Sequence, residues 1–123
     1  MSAPKTILIA EDDPASRELL AEILRAAGYA VVEAADGLEA IAVFENLVPD
    51  LAILDIQMPK LDGFEVLRCV RQRLPAPLPP VMAVTAHALV GDRERALALG
   101  FDEYLTKPLE IAHLRRRITE LLQ

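Results

Sequence analysis

Short apolar runs alternate along this chain with longer segments in which apolar residues recur every three or four positions. Short apolar runs bounded by turn signals are typical of buried β-strands, whereas the longer spacing is typical of amphipathic helices. The strand-like runs cover residues 6–10, 30–34, 51–54, 81–84 and 101–106. Because a helix-like segment follows each run, we predict five β-α units, a parallel sheet and helices on both of its faces.

Capping signals place several helix boundaries. Asp13 and Pro14 suit the N-cap and the first turn of the first helix, and Gly28 suits its C-terminal end. Asp36 and Asp62 each precede a glutamate by three positions, which is the spacing of a capping box. We therefore predict that the second and third helices begin directly after these two aspartates.

The signals are weaker elsewhere. We predict that Asp92 caps the fourth helix, with residues 86–91 forming a loop before it. Leu47 continues the apolar stripe of the second helix and is predicted to face inward. The proline-rich segment 74–80 is predicted to be a loop, since proline fixes φ and removes a backbone donor.

Composition indicates one globular domain, because 53% of the 123 residues are apolar and 26% are charged. We expect it to span residues 1–123, with its core over about 5–122 and no output domain present. No apolar run approaches the roughly 20 residues that span a bilayer, and residues 1–5 lack the apolar segment of a signal peptide. The single cysteine excludes an internal disulfide and fits a reducing compartment, so we predict a cytoplasmic protein.

Polar residues follow four of the strand-like runs. Glu11 and Asp12 follow the first run, Asp55 the third, Thr85 the fourth and Lys107 the last. In an open parallel sheet the carboxyl ends of the strands share one edge, where ligands bind. The sequence therefore predicts one small site that contains three carboxylates, a hydroxyl and an ammonium.

This combination of groups is typical of phosphoryl chemistry. Neighbouring carboxylates repel one another unless a cation neutralises them, and oxygen-only ligands favour Mg2+, with Mn2+ as an alternative. A carboxylate such as Asp55 can be the nucleophile that accepts a phosphoryl group. Lys107 would stabilise charge on the transferring oxygens, and Thr85 could donate a hydrogen bond to them. We therefore predict a Mg2+-dependent phosphoacceptor site.

The same residues carry a family resemblance that covers the chain from about residue 5 to residue 122. The motifs resemble those of the receiver domain of two-component response regulators, and they are Glu11-Asp12, the segment 55–59 with Asp62-Gly63 behind it, Thr85-Ala86 and Lys107-Pro108. Each dipeptide alone is a weak signal, but the ordered set of four is highly specific. The resemblance implies a doubly wound (βα)5, flavodoxin-like α/β fold whose five parallel strands have the order 2-1-3-4-5.

The resemblance also implies roles for the site residues. Asp55 would be phosphorylated from a phosphohistidine on a histidine kinase or a histidine phosphotransfer protein. Mg2+ would be held by Glu11, Asp12, Asp55 and the backbone carbonyl of Gln57. Lys107 would assist the transfer, and the chain would be a signalling switch rather than a turnover enzyme.

By the same resemblance, Thr85 and Tyr104 form a switch pair in which Thr85 moves toward the phosphoryl group and Tyr104 turns inward behind it. The bond between Lys107 and Pro108 is expected to be cis. A downstream protein partner would read the face of the last strand and last helix, and the domain would be a monomer or a phosphorylation-dependent dimer. A formal net charge of −6 argues against direct nucleic-acid binding, and no membrane partner is expected.

Other interpretations stay open at this point. The segment 85–92 looks most like stand-alone cell-cycle regulators and hybrid-kinase receivers, so a module excised from a hybrid kinase or multidomain regulator is an alternative. A flavin-binding electron carrier would share the fold, but the acidic residues 11–13 would repel a flavin phosphate. Phosphatases with an aspartyl intermediate commonly have a second acidic residue two positions after the nucleophile, where this chain has Gln57.

Overall fold

The computed structural model describes residues 3–123, in which five β-strands alternate with five α-helices. The strands are β1 (Thr6–Ala10), β2 (Ala30–Ala34), β3 (Leu51–Asp55), β4 (Val81–Thr85) and β5 (Glu103–Thr106). The helices are α1 (Pro14–Ala26), α2 (Gly37–Asn46), α3 (Gly63–Arg73), α4 (Asp92–Leu99) and α5 (Ile111–Leu121). Residues 1 and 2 lie outside the described residues. They belong to the predicted domain and to the N-terminal segment predicted to lack a signal peptide. Within residues 3–123, no helix is both long enough and apolar enough to cross a membrane.

The strands are all parallel and lie in the order β2-β1-β3-β4-β5, which confirms the predicted sheet. The strand order reverses at β1, since β2 lies on one side of it and β3 on the other. Such a reversal leaves a crevice beyond the carboxyl ends of the two neighbouring strands. Ala10 pairs with Leu54 in the β1–β3 register, so Glu11 and Asp55, the next residues, emerge side by side at this crevice.

Alternate strand residues point to opposite faces of the sheet and form two apolar layers. On one face, Leu8, Leu54 and Ala83 pack in the layer that contains α2, α3 and α4. On the other face, Ile9 and Ile53 pack in the layer that contains α1 and α5. Because helices cover both faces, β1, β3 and β4 are buried along nearly their whole length and appear in the sequence as continuous apolar runs.

The two predicted capping boxes both begin helices, but with different geometry. Asp62 accepts a hydrogen bond from the Glu65 N–H at 2.8 Å, and the Glu65 carboxylate accepts one from the Asp62 N–H at 3.0 Å, so this box is complete. Asp36 accepts from the Glu39 N–H at 2.9 Å, whereas the Glu39 carboxylate accepts from the Ala35 N–H at 3.1 Å. The return bond at α2 is therefore displaced by one residue.

Three local predictions are wrong. Asp92 is the first residue of α4 rather than its cap, because Gly91 precedes the helix in a left-handed conformation with φ of 89°. The Asp92 carboxylate instead accepts a hydrogen bond from the Leu89 N–H at 3.1 Å. Leu47 is 51% exposed, since the chain has left helical geometry at this residue. The last strand begins at Glu103 rather than at residue 101.

Candidate functional site

The structure brings the polar residues that follow or end the strands to one edge of the sheet. Glu11 and Asp12 follow β1, Asp55 ends β3, Thr85 ends β4, and Lys107 follows β5. Backbone pairing continues past the strands, because the Lys107 N–H donates to the Thr85 carbonyl at 2.8 Å and the Glu11 N–H donates to the Ala34 carbonyl at 3.0 Å. Glu11 and Lys107 therefore extend from backbone that is still hydrogen-bonded to the neighbouring strand.

Glu11, Asp12 and Asp55 form an acidic cluster in which one carboxylate oxygen from each lies within 4.8 Å of the others. Glu11 and Asp55 are each 4% exposed, whereas Asp12 is exposed to solvent. Negative charges at such separations repel strongly where water is largely excluded. The cluster offers only oxygen atoms, which suits Mg2+ or Mn2+ rather than zinc, and Asp12 opens it to solvent on one side.

Lys107 supplies the positive charge at this cluster. Its Nζ contacts Oε1 of Glu11 and lies 3.0 Å from Oδ2 of Asp55. The bond between Lys107 and Pro108 is cis, which confirms the expectation from the sequence. One ammonium thus pairs with two buried carboxylates. When both are ionised, their combined negative charge exceeds the charge of Lys107 even before Asp12 is counted.

This excess charge appears in the protonation equilibria of the two contacting groups. Burial, together with the neighbouring Asp55 carboxylate, raises the pKa of Glu11 to about 7, although the Lys107 ammonium acts in the opposite direction. Burial acts to lower the pKa of Lys107, but its hydrogen bonds to Glu11 and Asp55 together hold that pKa above its ordinary value. Lys107 therefore stays charged, and Glu11 is the group whose negative charge lacks sufficient compensation.

Asp55 is held at both of its carboxylate oxygens. Oδ1 accepts a hydrogen bond from the Gln57 N–H at 2.9 Å, and Oδ2 accepts one from Lys107. Behind Asp55 there is no space for a side chain at Gly63, where a Cβ would lie 2.7 Å from the Asp55 carbonyl oxygen. The Gly63 N–H also donates to the Ile56 carbonyl at 3.0 Å. The first turn of α3 consequently packs directly against the backbone that carries Asp55.

Thr85 and Tyr104 face the same side of the sheet, because Tyr104 pairs with Ala83 in the β4–β5 register. Thr85 is fully buried, and its hydroxyl donates to the His87 carbonyl at 3.3 Å and accepts from the His87 N–H at 3.2 Å. Tyr104 is 4% exposed, and its hydroxyl has no hydrogen-bond partner within residues 3–123. Burial raises the pKa of Tyr104 above its ordinary value. The tyrosine ring thus faces inward, on the same side as the threonine.

Two arginines that the sequence pattern does not single out contact the backbone of site residues, one at Glu11 and the other at Tyr104. Arg17 of α1 donates from Nη1 to the Glu11 carbonyl at 2.8 Å, and Arg93 of α4 donates from Nη1 to the Tyr104 carbonyl at 3.0 Å. Both stand near the N-terminus of a helix, where the helix dipole disfavours a positive charge. An arginine near a predicted helix N-terminus can be recognised in the sequence, but the sequence does not show which carbonyl accepts its hydrogen bond.

The response regulator receiver domain family matches this chain over residues 7–119. An uncharacterized 14.6 kDa protein in the sodA1 3' region of Leptolyngbya boryana is 38% identical over 118 residues, which cover 96% of this chain and 90% of that protein. The probable transcriptional regulator ycf27 of Cyanophora paradoxa is 42% identical over 119 residues, which cover 97% of this chain and 48% of the regulator. The chain therefore spans about half the length of this and other curated regulators that it matches.

A solved structure resembles the chain along its whole length. The receiver domain of the sensor histidine kinase PA1611 from Pseudomonas aeruginosa PAO1 has a TM-score of 0.88 and 36% identity, with 98% of each chain covered. In that structure a magnesium ion is coordinated in the active-site cleft. None of these relatives supports the alternative of a flavin-binding electron carrier. With a family match that covers nearly all of it, the chain belongs to the response regulator receiver domains of two-component signalling systems.

Proposed function

We propose that this receiver domain accepts a phosphoryl group on Asp55 from a phosphohistidine of a histidine kinase or a histidine phosphotransfer protein, in a Mg2+-dependent reaction. One observation carries the proposal: the buried Asp55 lies beside two further carboxylates, one buried (Glu11) and one exposed (Asp12), whose oxygens lie within 4.8 Å, and beside one ammonium at 3.0 Å. An aspartyl phosphate formed there has a cation site on one side and Lys107 on the other.

The donor groups of the acidic cluster fit Mg2+. Glu11, Asp12 and Asp55 would hold the ion together with the backbone carbonyl of Gln57, whose own N–H bonds to Asp55. Mn2+ would suit the same oxygen ligands. When bound, the ion would neutralise the cluster and stabilise charge on the phosphoryl oxygens. The coordinated magnesium in the receiver domain of PA1611 supports this assignment.

The transfer would replace one bond to phosphorus by another. An oxygen of Asp55 would attack the phosphorus atom while the phosphorus–nitrogen bond of the donor breaks and its imidazole leaves. Lys107 is close enough to pair with an oxygen of the transferred group, because it already lies 3.0 Å from Oδ2 of Asp55. The hydrogen bond from Gln57 to Oδ1 would keep the carboxylate oriented during the attack.

The output would depend on Thr85 and Tyr104. Within residues 3–123 the Thr85 hydroxyl bonds only to the His87 backbone, at distances of 3.2 and 3.3 Å, so an anionic phosphoryl oxygen would compete well for it. Movement of Thr85 would change the space available to Tyr104, which lies on the same face of the sheet. The aspartyl phosphate would thereby alter the surface formed by β5 and α5, where we place the downstream protein partner or a phosphorylation-dependent dimer contact.

The phosphodonor has an apolar surface available beside the site. A groove of about 340 Å3 lies next to Lys107, with Leu19 of α1 and Ile111 of α5 in its walls. Those two side chains are 60% and 38% exposed. A helix of the donor could cover them while its histidine approaches Asp55.

Because histidine kinases phosphorylate their partners inside the cell, we place this domain in the cytoplasm.

We infer that the chain is a switch and not a turnover enzyme. Loss of the phosphoryl group from Asp55 would act as a timer, since the residue two positions on is Gln57 rather than a second acid. The domain would act alone over residues 1–123 or as a module of a hybrid kinase or larger regulator. Sequencing of the adjacent coding region, for an in-frame kinase or output domain, separates these two arrangements.

Phosphorylation by a small donor tests the proposal. The parent protein with Mg2+ and acetyl phosphate or phosphoramidate should gain one acid-stable, base-labile phosphoryl group by intact-mass spectrometry, and Asp55→Asn should gain none. Asp62→Asn is the matched control, because Asp62 lies on the same loop and asparagine also caps a helix. Equal labelling of the parent and Asp55→Asn would reject Asp55 as the acceptor.

A further inference from the structure

Arg17 joins three parts of the molecule at the edge of the acidic cluster. It lies in the first turn of α1, its Nη1 donates to the Glu11 carbonyl at 2.8 Å, and its Nε lies 3.4 Å from Oε1 of Glu33 on β2. Its side chain is only 20% exposed. A cation in the first turn of a helix is disfavoured by the helix dipole, so these contacts must outweigh that cost.

The carbonyl that Arg17 binds belongs to the peptide unit between Glu11 and Asp12. On the other side of Glu11, its N–H donates to the Ala34 carbonyl at 3.0 Å and continues the pairing of β1 with β2. The backbone of Glu11 is therefore held at both of its polar groups, once by β2 and once by α1. Since the two carboxylates extend from this short segment, its orientation decides whether they point at Asp55 together.

We propose that Arg17 is a positioning residue for the divalent-cation site. By fixing the peptide between Glu11 and Asp12, it holds their carboxylates in the arrangement that meets Asp55. Glu33 in turn orients the guanidinium. This role rests on the proposed function, because it concerns the ion that the phosphoryl transfer would use. Groups that orient metal ligands from outside the ligand set contribute substantially to metal affinity.

The sign of the effect separates positioning from simple electrostatics. Arg17 carries a positive charge near a site for a cation, so through charge alone its removal would strengthen Mg2+ binding. A positioning role has the opposite consequence: Mg2+ binding weakens when the Glu11 carbonyl is released, even though an opposing charge has gone. Lysine at this position would retain the charge but lack the planar fork that reaches two acceptors.

Arg25 provides a matched control within the same helix. Its Nη2 lies 3.3 Å from Oε2 of Glu33, so it pairs with the same carboxylate as Arg17. Among the hydrogen bonds of residues 3–123, it makes none to the backbone at the end of β1. Arg25→Gln therefore removes one positive charge and one ion pair with Glu33, but leaves the Glu11 carbonyl bonded.

Isothermal titration of Mg2+ into the metal-free parent, Arg17→Gln, Arg17→Lys and Arg25→Gln tests the role. We expect about tenfold weaker binding in Arg17→Gln, a smaller loss in Arg17→Lys, and no change in Arg25→Gln. Equal affinities of Arg17→Gln and Arg25→Gln, or tighter binding by Arg17→Gln, would overturn the proposal. If Arg17→Gln unfolds in EDTA by circular dichroism, Arg17→Lys decides: parental affinity rejects positioning, and weaker binding supports it.

The same titration distinguishes failure of the proposed function from failure of the positioning role of Arg17. If the parent itself binds no Mg2+, the proposed function fails, and the role of Arg17 fails with it. If the parent binds Mg2+ and is phosphorylated on Asp55, but Arg17→Gln binds Mg2+ as the parent does, only the positioning role is rejected.

Discussion

Arg117 of α5 binds Glu103 of β5, with its Nε 2.6 Å from Oε2 of a carboxylate that is 12% exposed. The other oxygen of Glu103 accepts a hydrogen bond from the Tyr104 N–H at 2.9 Å and lies 3.7 Å from Nη2 of Arg93 on α4. Glu103 thus links both flanking helices to the strand that carries Tyr104. A buried carboxylate with these partners should remain ionised over the whole neutral range.

This link predicts a loss of stability in acid. Burial alone would raise the pKa of Glu103, but the Tyr104 N–H and the Arg117 guanidinium outweigh it and hold the pKa below its ordinary value of 4.5. The unfolded state then binds the proton more readily, so the free energy of unfolding falls as the pH drops from about 4.5 through the folded-state pKa. Glu103→Gln should be less stable by about 1–3 kcal/mol at neutral pH, and the difference from the parent should shrink in acid. Urea unfolding at neutral and acidic pH measures both.

Glu120→Gln is the control for this prediction. Glu120 also pairs with Arg117, at 3.6 Å, but its side chain is 51% exposed. Exposed pairs contribute little, so this variant should resemble the parent at either pH. A stability difference between the parent and Glu103→Gln that stays constant into acid would contradict the lowered pKa of Glu103.

The buried Tyr104 hydroxyl predicts a stabilising substitution. Tyr104→Phe removes a buried hydroxyl that has no hydrogen-bond partner within residues 3–123, a situation that costs about 1–3 kcal/mol. We expect the free energy of unfolding to rise by up to that amount, measured by urea denaturation. Tyr29→Phe, at a half-buried position, should leave stability nearly unchanged. A clear loss of stability in Tyr104→Phe would mean that the hydroxyl has a hydrogen-bond partner in solution.

Gly63 should tolerate no side chain. A Cβ there would lie 2.7 Å from the Asp55 carbonyl oxygen and 3.1 Å from Cα of Ile56, and neither backbone atom can move without displacing Asp55. We expect Gly63→Ala to lose about 1–3 kcal/mol of stability and to bind Mg2+ more weakly, as measured by urea unfolding and calorimetric titration. Gly28→Ala is the control, because its φ of +99° strains alanine, while within residues 3–123 no atom beyond the neighbouring residues lies within 4 Å of the added Cβ. Gly28→Ala should lose stability but retain the Mg2+ affinity of the parent. If Gly63→Ala also retains that affinity, the packing at Gly63 does not influence the metal site.

The arrangement of the strand ends follows from a rule that needs no distances. Parallel strands present their carboxyl ends at one edge, so Glu11, Asp55 and Lys107 could be placed together from their positions after apolar runs alone. The caps at Asp36 and Asp62 were equally accessible, because a capping bond spans only three residues. Such features depend on local sequence and on the order of the elements, and both can be read along the chain.

Features that depend on where an element ends, or on how distant elements meet, could not be predicted in this way. The apolar stripe of α2 continues to Leu47, but the helix stops there and the side chain is exposed. Asp92 has a capping residue type, yet the left-handed Gly91 precedes the helix instead. The bond from Arg17 to the Glu11 carbonyl depends on the angle at which α1 leaves the sheet. Periodicity carries no information about that angle.

Removal of one carboxylate should separate the repulsion within the acidic cluster from its affinity for metal. Asp12 is the exposed member, so Asp12→Asn relieves repulsion on Glu11 and Asp55 without disturbing a buried position. In EDTA the variant should be at least as stable as the parent. In Mg2+ the order should reverse. A ligand at 100 times its Kd raises the free energy of unfolding of the protein that binds it by about 2.7 kcal/mol, and Asp12→Asn should lose most of that increase. Thermal unfolding in EDTA and in Mg2+ gives the comparison, with Asp13→Asn as the control for a neighbouring exposed charge. Equal Mg2+ increments in the parent and Asp12→Asn would exclude Asp12 as a ligand.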